Sequence, residues 1–216
     1  MAPRTAAALV LAVLAAAPAA AAGDGDAPAG FRTHTLREAG VSVALPTGWQ
    51  VLVQRDAVFP GVYANLRRLD RSFAAPLAAL ASPDSPLKLF AFDRVFWHGR
   101  PTTAMLVRAT YGRPQGGWAA RMRRALAHAP GRRGPVRIRA VALRAGQALR
   151  AEYRVGARDA AVVYVVGSWA GIWAVVFRTP AATLASRRSA FARAAATLEV
   201  VEPVGGPLRT HPPPAS

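Results

Sequence analysis

Apolar residues alternate with polar ones, or run without interruption, along most of the chain between residues 31 and 202. Val41 to Leu45 alternates, stops at Pro46-Thr47-Gly48 and is followed by Trp49 to Val53, which predicts two strands joined by a short turn. Three more pairs of segments have this form: 87–93 with 103–111, 136–143 with 147–155, and 161–169 with 172–178. Because short turns join antiparallel neighbours, the pattern predicts a meander-like antiparallel sheet.

The last pair of segments is apolar on both faces, at Val162 to Val166 and at Ile172 to Phe177. Such strands are typical of the middle of a sheet that is covered on both sides. Three amphipathic segments can supply the cover: 63–81, 117–129, and a last helix that Pro180 opens after the N-cap Thr179, with Leu184, Phe191, Ala195 and Leu198 on one face. The predicted fold class is α/β of the α+β type, a single domain whose antiparallel β-sheet has helices on both faces, as a three-layer α/β/α sandwich.

The N-terminus has the features of a secretory signal. Arg4 precedes an uncharged run from Ala6 to Ala22, which ends in small residues before Gly23. This run is too short and too rich in Ala for a membrane span, and no later segment is long and apolar enough. We therefore expect a protein that is secreted or held in the periplasm or cell-wall space, with no stable membrane span after cleavage. The predicted organisation is a signal peptide at 1–22, a flexible spacer at 23–30, one domain at 31–202 and a disordered Pro/Gly-rich tail at 203–216.

Basic residues greatly outnumber acidic ones. The chain has 28 Lys and Arg against 11 Asp and Glu, a formal net charge of +17, and no Cys. The lack of Cys excludes a disulfide scaffold and a Cys-ligated metal site. The charge favours contact with anionic polymers or lipid headgroups, whereas nucleic acid is not expected for a chain that is sent out of the cell. Whether the excess of Arg is functional or only compositional stays open.

The third pair of strands carries the candidate binding surface. Arg137 and Arg139 alternate with apolar residues on one strand, and Arg150 and Arg154 do so on the next. Each strand points its arginines to one side, so together they predict a basic stripe that can bind phosphate or carboxylate groups bidentately. Glu152 lies in the same row and is expected to neutralise part of it. The alternative is a solvated face imposed by an Arg-rich composition.

Two tryptophans near turns, Trp97 and Trp169, are further candidate contacts, for a glycan or a lipid. Trp118 and Trp173 fall where core packing is expected.

The sequence predicts no catalytic residue, no metal ligand set and no cofactor. Ser168 comes closest to a nucleophile elbow, but the Gly-x-Ser-x-Gly spacing fails at Ala170 and a strand follows. Asp93 and His98 flank a strand end without a third ligand. Two alternatives remain open. A hydrolase would need a cleft with Ser or Asp close to His98 or His34, and a carrier of an apolar ligand would need a dry pocket between sheet and helix.

Two stretches carry a resemblance to a known family. Residues 41–49, Val-Ser-Val-Ala-Leu-Pro-Thr-Gly-Trp, resemble the opening of PsbP-like proteins. Residues 171–180, the helix that carries Phe191 and the closing residues 196–200 resemble their terminal hairpin and helix. The group includes PsbP, Mog-type and LpqN-like secreted proteins, although this chain lacks the lipobox cysteine of LpqN-type lipoproteins. The resemblance implies an α/β/α sandwich that serves as a non-catalytic binding or adapter module. In the cell envelope its partner would be a protein, an anionic wall polymer or a lipid headgroup.

Overall fold

The computed structural model describes residues 27–53, 78–80, 82, 85–97, 100–111 and 114–200. The predicted signal peptide, the tail at 203–216 and His98 lie outside the described residues. So does the predicted helix at 63–81, apart from Ala78 to Leu80, which are helical. In the described ranges no helix has the length and apolar character needed to cross a membrane.

The described chain contains ten strands, together with two helices that each have at least eight residues. They are β1 (Phe31–Leu36), β2 (Val41–Pro46), β3 (Trp49–Val53), β4 (Leu87–Trp97), β5 (Arg100–Tyr111), α1 (Trp118–Ala127), β6 (Arg132–Leu143), β7 (Gly146–Val155), β8 (Asp159–Ser168), β9 (Gly171–Pro180), α2 (Leu184–Ala196) and β10 (Glu199–Val200). A 3₁₀ turn, Ala181–Thr183, lies between β9 and α2.

Seven strands form one antiparallel sheet in the order β3-β4-β5-β9-β8-β7-β6. The pairs β4–β5, β6–β7 and β8–β9 are the three later hairpins that the sequence predicts, and they are confirmed. The sheet is not one continuous meander, because β5 pairs with β9 and α1 leads the chain from β5 to the outer strand β6. β6 is therefore an edge strand of twelve residues, and its pairing with β7 is interrupted between Arg133 and Arg137.

The predicted pairing of the first two strands is wrong. β2 pairs with β1 and β10 in a separate three-stranded sheet, whereas β3 pairs with β4 in the large sheet. The chain therefore passes from one sheet to the other at Thr47 and Gly48. The reason is visible in β2, where the five residues from Val41 to Leu45 are all buried, because β2 is the central strand of its own small sheet.

The three-layer α/β/α sandwich is also wrong. Strands make up 58% of the described structure and helices 21%, and they form two antiparallel sheets with few helices. The helices α1 and α2 have only 10 and 13 residues, so neither builds a full layer. The small sheet supplies much of the cover that was assigned to helices, since Val41, Val43 and Leu45 share one core with α2 and the large sheet.

The large sheet is buried on both faces at its centre, as the apolar runs of β8 and β9 predict. The face that carries Tyr164 and Phe177 is called the front face here. On this face Phe191 of α2 stacks on Phe177, with ring centroids 4.6 Å apart. The back face packs Val163 and Val165 against α1 through Trp118, Met122 and Leu126.

The last helix begins later than predicted. Pro180 ends β9, and α2 begins at Leu184 after the 3₁₀ turn. Thr179 is not an N-cap: its hydroxyl is buried between those of Thr102, at 2.9 Å, and Thr183, at 2.7 Å. Since Thr183 donates to the Pro180 carbonyl, Thr179 donates to Thr183 and Thr102 donates to Thr179. This chain of hydroxyls holds β5, β9 and the start of α2 together.

Candidate functional site

The β6–β7 hairpin brings the four predicted arginines to one face of the sheet. Arg137 lies opposite Glu152, Arg139 opposite Arg150, and Arg133 opposite Arg154. In an antiparallel pair, two directly opposite residues point to the same face of the sheet. Along one strand, every second residue points to that face. All of these side chains therefore lie on the front face.

Arg150 is not available to a ligand. Its Nη2 lies 2.7 Å from Oε2 of Glu152, and its Nε donates to the Tyr164 hydroxyl at 3.3 Å. Its guanidinium also lies over the Tyr164 ring, 5.9 Å from the centroid. With only 13% of its side chain exposed, Arg150 is part of the packing between β7 and β8.

Glu152 neutralises part of the predicted stripe, as expected, because it pairs with Arg150. Its carboxylate also accepts hydrogen bonds from Nη2 and Nε of Arg188, which reaches it from α2. Burial pushes the pKa of Glu152 upward, but the hydrogen bonds from Arg188 and Arg150 together lower this pKa below its ordinary value. Glu152 is therefore ionised and fully engaged, and it ties α2 to β7 rather than pairing with Arg137 opposite it.

Four arginines remain exposed on this face, and we call them the arginine surface: Arg133, Arg137, Arg139 and Arg154. Residues 114–200 contain fifteen Arg but only three acidic residues. Each of those acids already has an Arg partner: Glu152 as described, Asp159 with Arg100 and Arg178, and Glu199 with Arg144. Within this stretch no acid is left to neutralise the arginine surface.

A cleft of about 500 Å³ lies at one end of the large sheet, where the turns after β6 and β8 meet the start of α1 and β10. It is lined by Pro114, Trp118, Arg144, Ala145, Gly167, Ser168, Trp169, Glu199 and Val200. Trp169 is 48% exposed and is one of two large hydrophobic side chains exposed in the described structure, with Val95. The structure thus places Trp169 at a cleft, whereas the side chain of Trp97 lies outside the described residues.

Other parts of this cleft were not found from the sequence. Glu199 and Pro114 have no neighbouring motif that marks them, and only the fold brings them beside the β8–β9 turn. Trp118, assigned to the core, packs against the back face and also lines the cleft.

The residues considered for catalysis do not converge where the structure describes them. The Ser168 hydroxyl donates to the Gly171 carbonyl at 3.0 Å and accepts from the Ala170 N–H at 3.3 Å, so it holds a turn. Asp93 accepts from the Val95 N–H at 3.0 Å and pairs with Arg187 at 2.6 Å. No group of three or more His, Asp or Glu side chains that could hold a metal ion occurs among the described residues.

His34 lies half-buried on β1, opposite Val43. Burial, with a smaller contribution from the charge of Arg32, lowers the pKa of His34 from 6.5 to about 4. Between these pH values the unfolded chain binds a proton that the folded chain does not, so the free energy of unfolding should fall as the pH is lowered from 6.5 to 4. Urea unfolding across this range tests this. His34→Gln should remove that part of the pH dependence, and an unchanged slope would contradict it.

Comparison with protein families finds no family that matches this chain, and comparison with curated proteins finds no relative. A search of solved structures finds the solution structure of cyanobacterial PsbP (CyanoP) from Synechocystis sp. PCC 6803. In fold, the chain is similar to cyanobacterial PsbP. The match covers 85% of this chain and 99% of that chain, with 14% sequence identity and a TM-score of 0.46. The PsbP-like resemblance of the sequence is thus confirmed as a likeness of fold alone.

Proposed function

We propose that the protein is a non-catalytic binding module of the cell envelope that holds an anionic polymer on its arginine surface. One observation carries this proposal: every Asp and Glu in residues 114–200 already forms an ion pair, so none of them neutralises the arginine surface. An exposed cluster of unneutralised guanidinium groups attracts polyanions and binds phosphate or carboxylate bidentately. The signal-like first 22 residues support a site of action outside the cytoplasm.

The spacing of the arginines favours a polymer over a single small anion. Arg137 and Arg139 are two residues apart on an extended strand, which separates their side chains by roughly 7 Å along β6. Arg133 and Arg154 extend the same row beyond the register shift. A linear row of cations matches a linear chain of anions, because each guanidinium can meet a different repeat.

Binding to soluble poly(glycerol phosphate) across a salt series tests the proposal. Replacing Arg137, Arg139 and Arg154 together with Gln should weaken binding by about tenfold or more at low salt and should flatten its salt dependence. Arg150 is left in place, because its substitution would disturb the contacts with Glu152 and Tyr164.

The matched control replaces Arg123, Arg124 and Arg158 with Gln. These residues are exposed on α1 and on the β7–β8 turn, so the control has the same net charge but an intact arginine surface. We expect it to bind almost as tightly as the unmodified protein. Equal losses in both variants would mean that only net charge matters, and the proposed surface would be rejected. Phosphatidylglycerol vesicles, compared with phosphatidylcholine vesicles, show whether a lipid headgroup serves as well as a polymer.

A further inference from the structure

The cleft at the end of the large sheet presents a half-exposed indole. Trp169 lies on the β8–β9 turn, which the two hydrogen bonds of Ser168 close and in which Gly171 adopts a left-handed φ of 141°. Exposing about half of a tryptophan side chain leaves a large apolar surface in water. Aromatic side chains are common in the lining of ligand-binding clefts.

The inner wall of the cleft is also aromatic and closely packed. A Cβ atom added to Gly167 would lie 2.8 Å from Cε2 of Trp118 and 3.3 Å from Cγ of Pro114. The indole of Trp118 and the ring of Pro114 therefore lie directly against the backbone of β8. This packing fixes an apolar wall next to Trp169.

The described lining of the cleft also includes one cation and one anion. Nη2 of Arg144 lies 3.7 Å from Oε1 of Glu199, and their side chains are 51% and 42% exposed. Such an exposed and loose ion pair contributes little stability, and about half of each side chain is open to solvent. Together they offer several N–H donors and two carboxylate acceptors with no net charge.

We propose that this cleft is a binding site for a neutral carbohydrate. A sugar ring has a face of C–H groups that packs on an indole and a rim of hydroxyls that both donate and accept hydrogen bonds. Trp169 provides the stacking surface, while Arg144 and Glu199 meet the hydroxyls. A fully apolar ligand would cover the charged pair without bonding to it, and an anion would face the Glu199 carboxylate. The cleft volume of about 500 Å³ lies within the range of small-molecule sites and suits a short oligosaccharide.

Calorimetric titration of the full chain with chitohexaose, cellohexaose and maltohexaose tests the proposal. At least one of these neutral probes should bind saturably. Trp169→Ala should weaken that binding by about tenfold or more, because a stacked tryptophan dominates the energy of such contacts. Trp169→Phe should restore part of the affinity, and Glu199→Gln should weaken it without changing the stacking surface.

Val95→Ala is the matched control, since it removes the other large exposed hydrophobic side chain and should leave sugar binding unchanged. The variant of Arg137, Arg139 and Arg154 should also keep its sugar binding, so this site can succeed or fail independently of the arginine surface. Saturable binding of none of the three sugars would overturn the proposal. Unchanged affinity in Trp169→Ala, with an unaltered circular dichroism spectrum, would overturn it as well.

Discussion

Phe191→Ala should lower the free energy of unfolding by about 3–5 kcal/mol, the cost typical of removing a large aromatic side chain from a core. Phe191 is 1% exposed, and its ring stacks on Phe177 at an interplanar angle of 11°. Tyr164 meets Phe177 edge-on, so the loss would leave a void where α2, β8 and β9 join. Urea unfolding followed by circular dichroism measures the change.

Phe191→Leu is the matched control for this prediction. Leucine keeps most of the apolar volume but cannot stack on Phe177, so we expect a clearly smaller loss than for alanine. A loss below about 1 kcal/mol for Phe191→Ala would contradict the burial of α2 on the front face.

Gly167→Ala should destabilise the protein by about 1–3 kcal/mol, because the added methyl group would overlap the Trp118 ring. The nearest ring atoms would lie 2.8 and 2.9 Å away, closer than carbon atoms can approach without movement. Trp118 lies on α1, so the clash should shift the start of that helix off the back face. Thermal or urea unfolding measures the loss, and near-ultraviolet circular dichroism reports the displacement of the indole.

Gly116→Ala provides the comparison for the same substitution in open space. No atom lies within 4 Å of a Cβ added at Gly116, so the free energy of unfolding should stay unchanged or rise slightly. If the two alanine variants were equally stable, the close approach of Trp118 to β8 would be refuted.

The later hairpins were predictable because their information is local. In β6–β7 and β8–β9, alternating or continuous apolar residues flank a short turn, and strands so close in sequence pair with each other. The pairing of β5 with β9 has no local signal, since α1 and three strands separate the two in the chain. The same limit applies to β2 and β3. Their short connection predicts a hairpin. In the structure, however, β2 lies between β1 and β10, and β10 is the last strand in the described sequence.

The sequence predicted the side of each strand on which the arginines lie, but it did not predict which of them stay exposed. Alternation places Arg137 and Arg139 on one side of β6, and Arg150 and Arg154 on one side of β7, without any knowledge of the fold. The sequence could not show that Glu152 is engaged by Arg188, which lies 36 residues away on α2. That contact exists only after α2 has packed on the sheet. In the packed structure Arg150 is largely buried, whereas Arg137, Arg139 and Arg154 are exposed.

The position of β6 at the edge of the described sheet means that its arginines would also affect any pairing between copies of the chain. Within the described residues this strand of twelve has no outer neighbour, so it presents backbone N–H and C=O groups that the edge of another copy could pair with. Antiparallel pairing of two such edges would crowd Arg137 and Arg139 of both copies together, and like charges at that distance repel. Such repulsion opposes edge-to-edge pairing as long as the arginines are unneutralised. If a polyanion covers these arginines, as we propose, the repulsion is removed, and binding of the polymer would then favour pairing of two copies at β6.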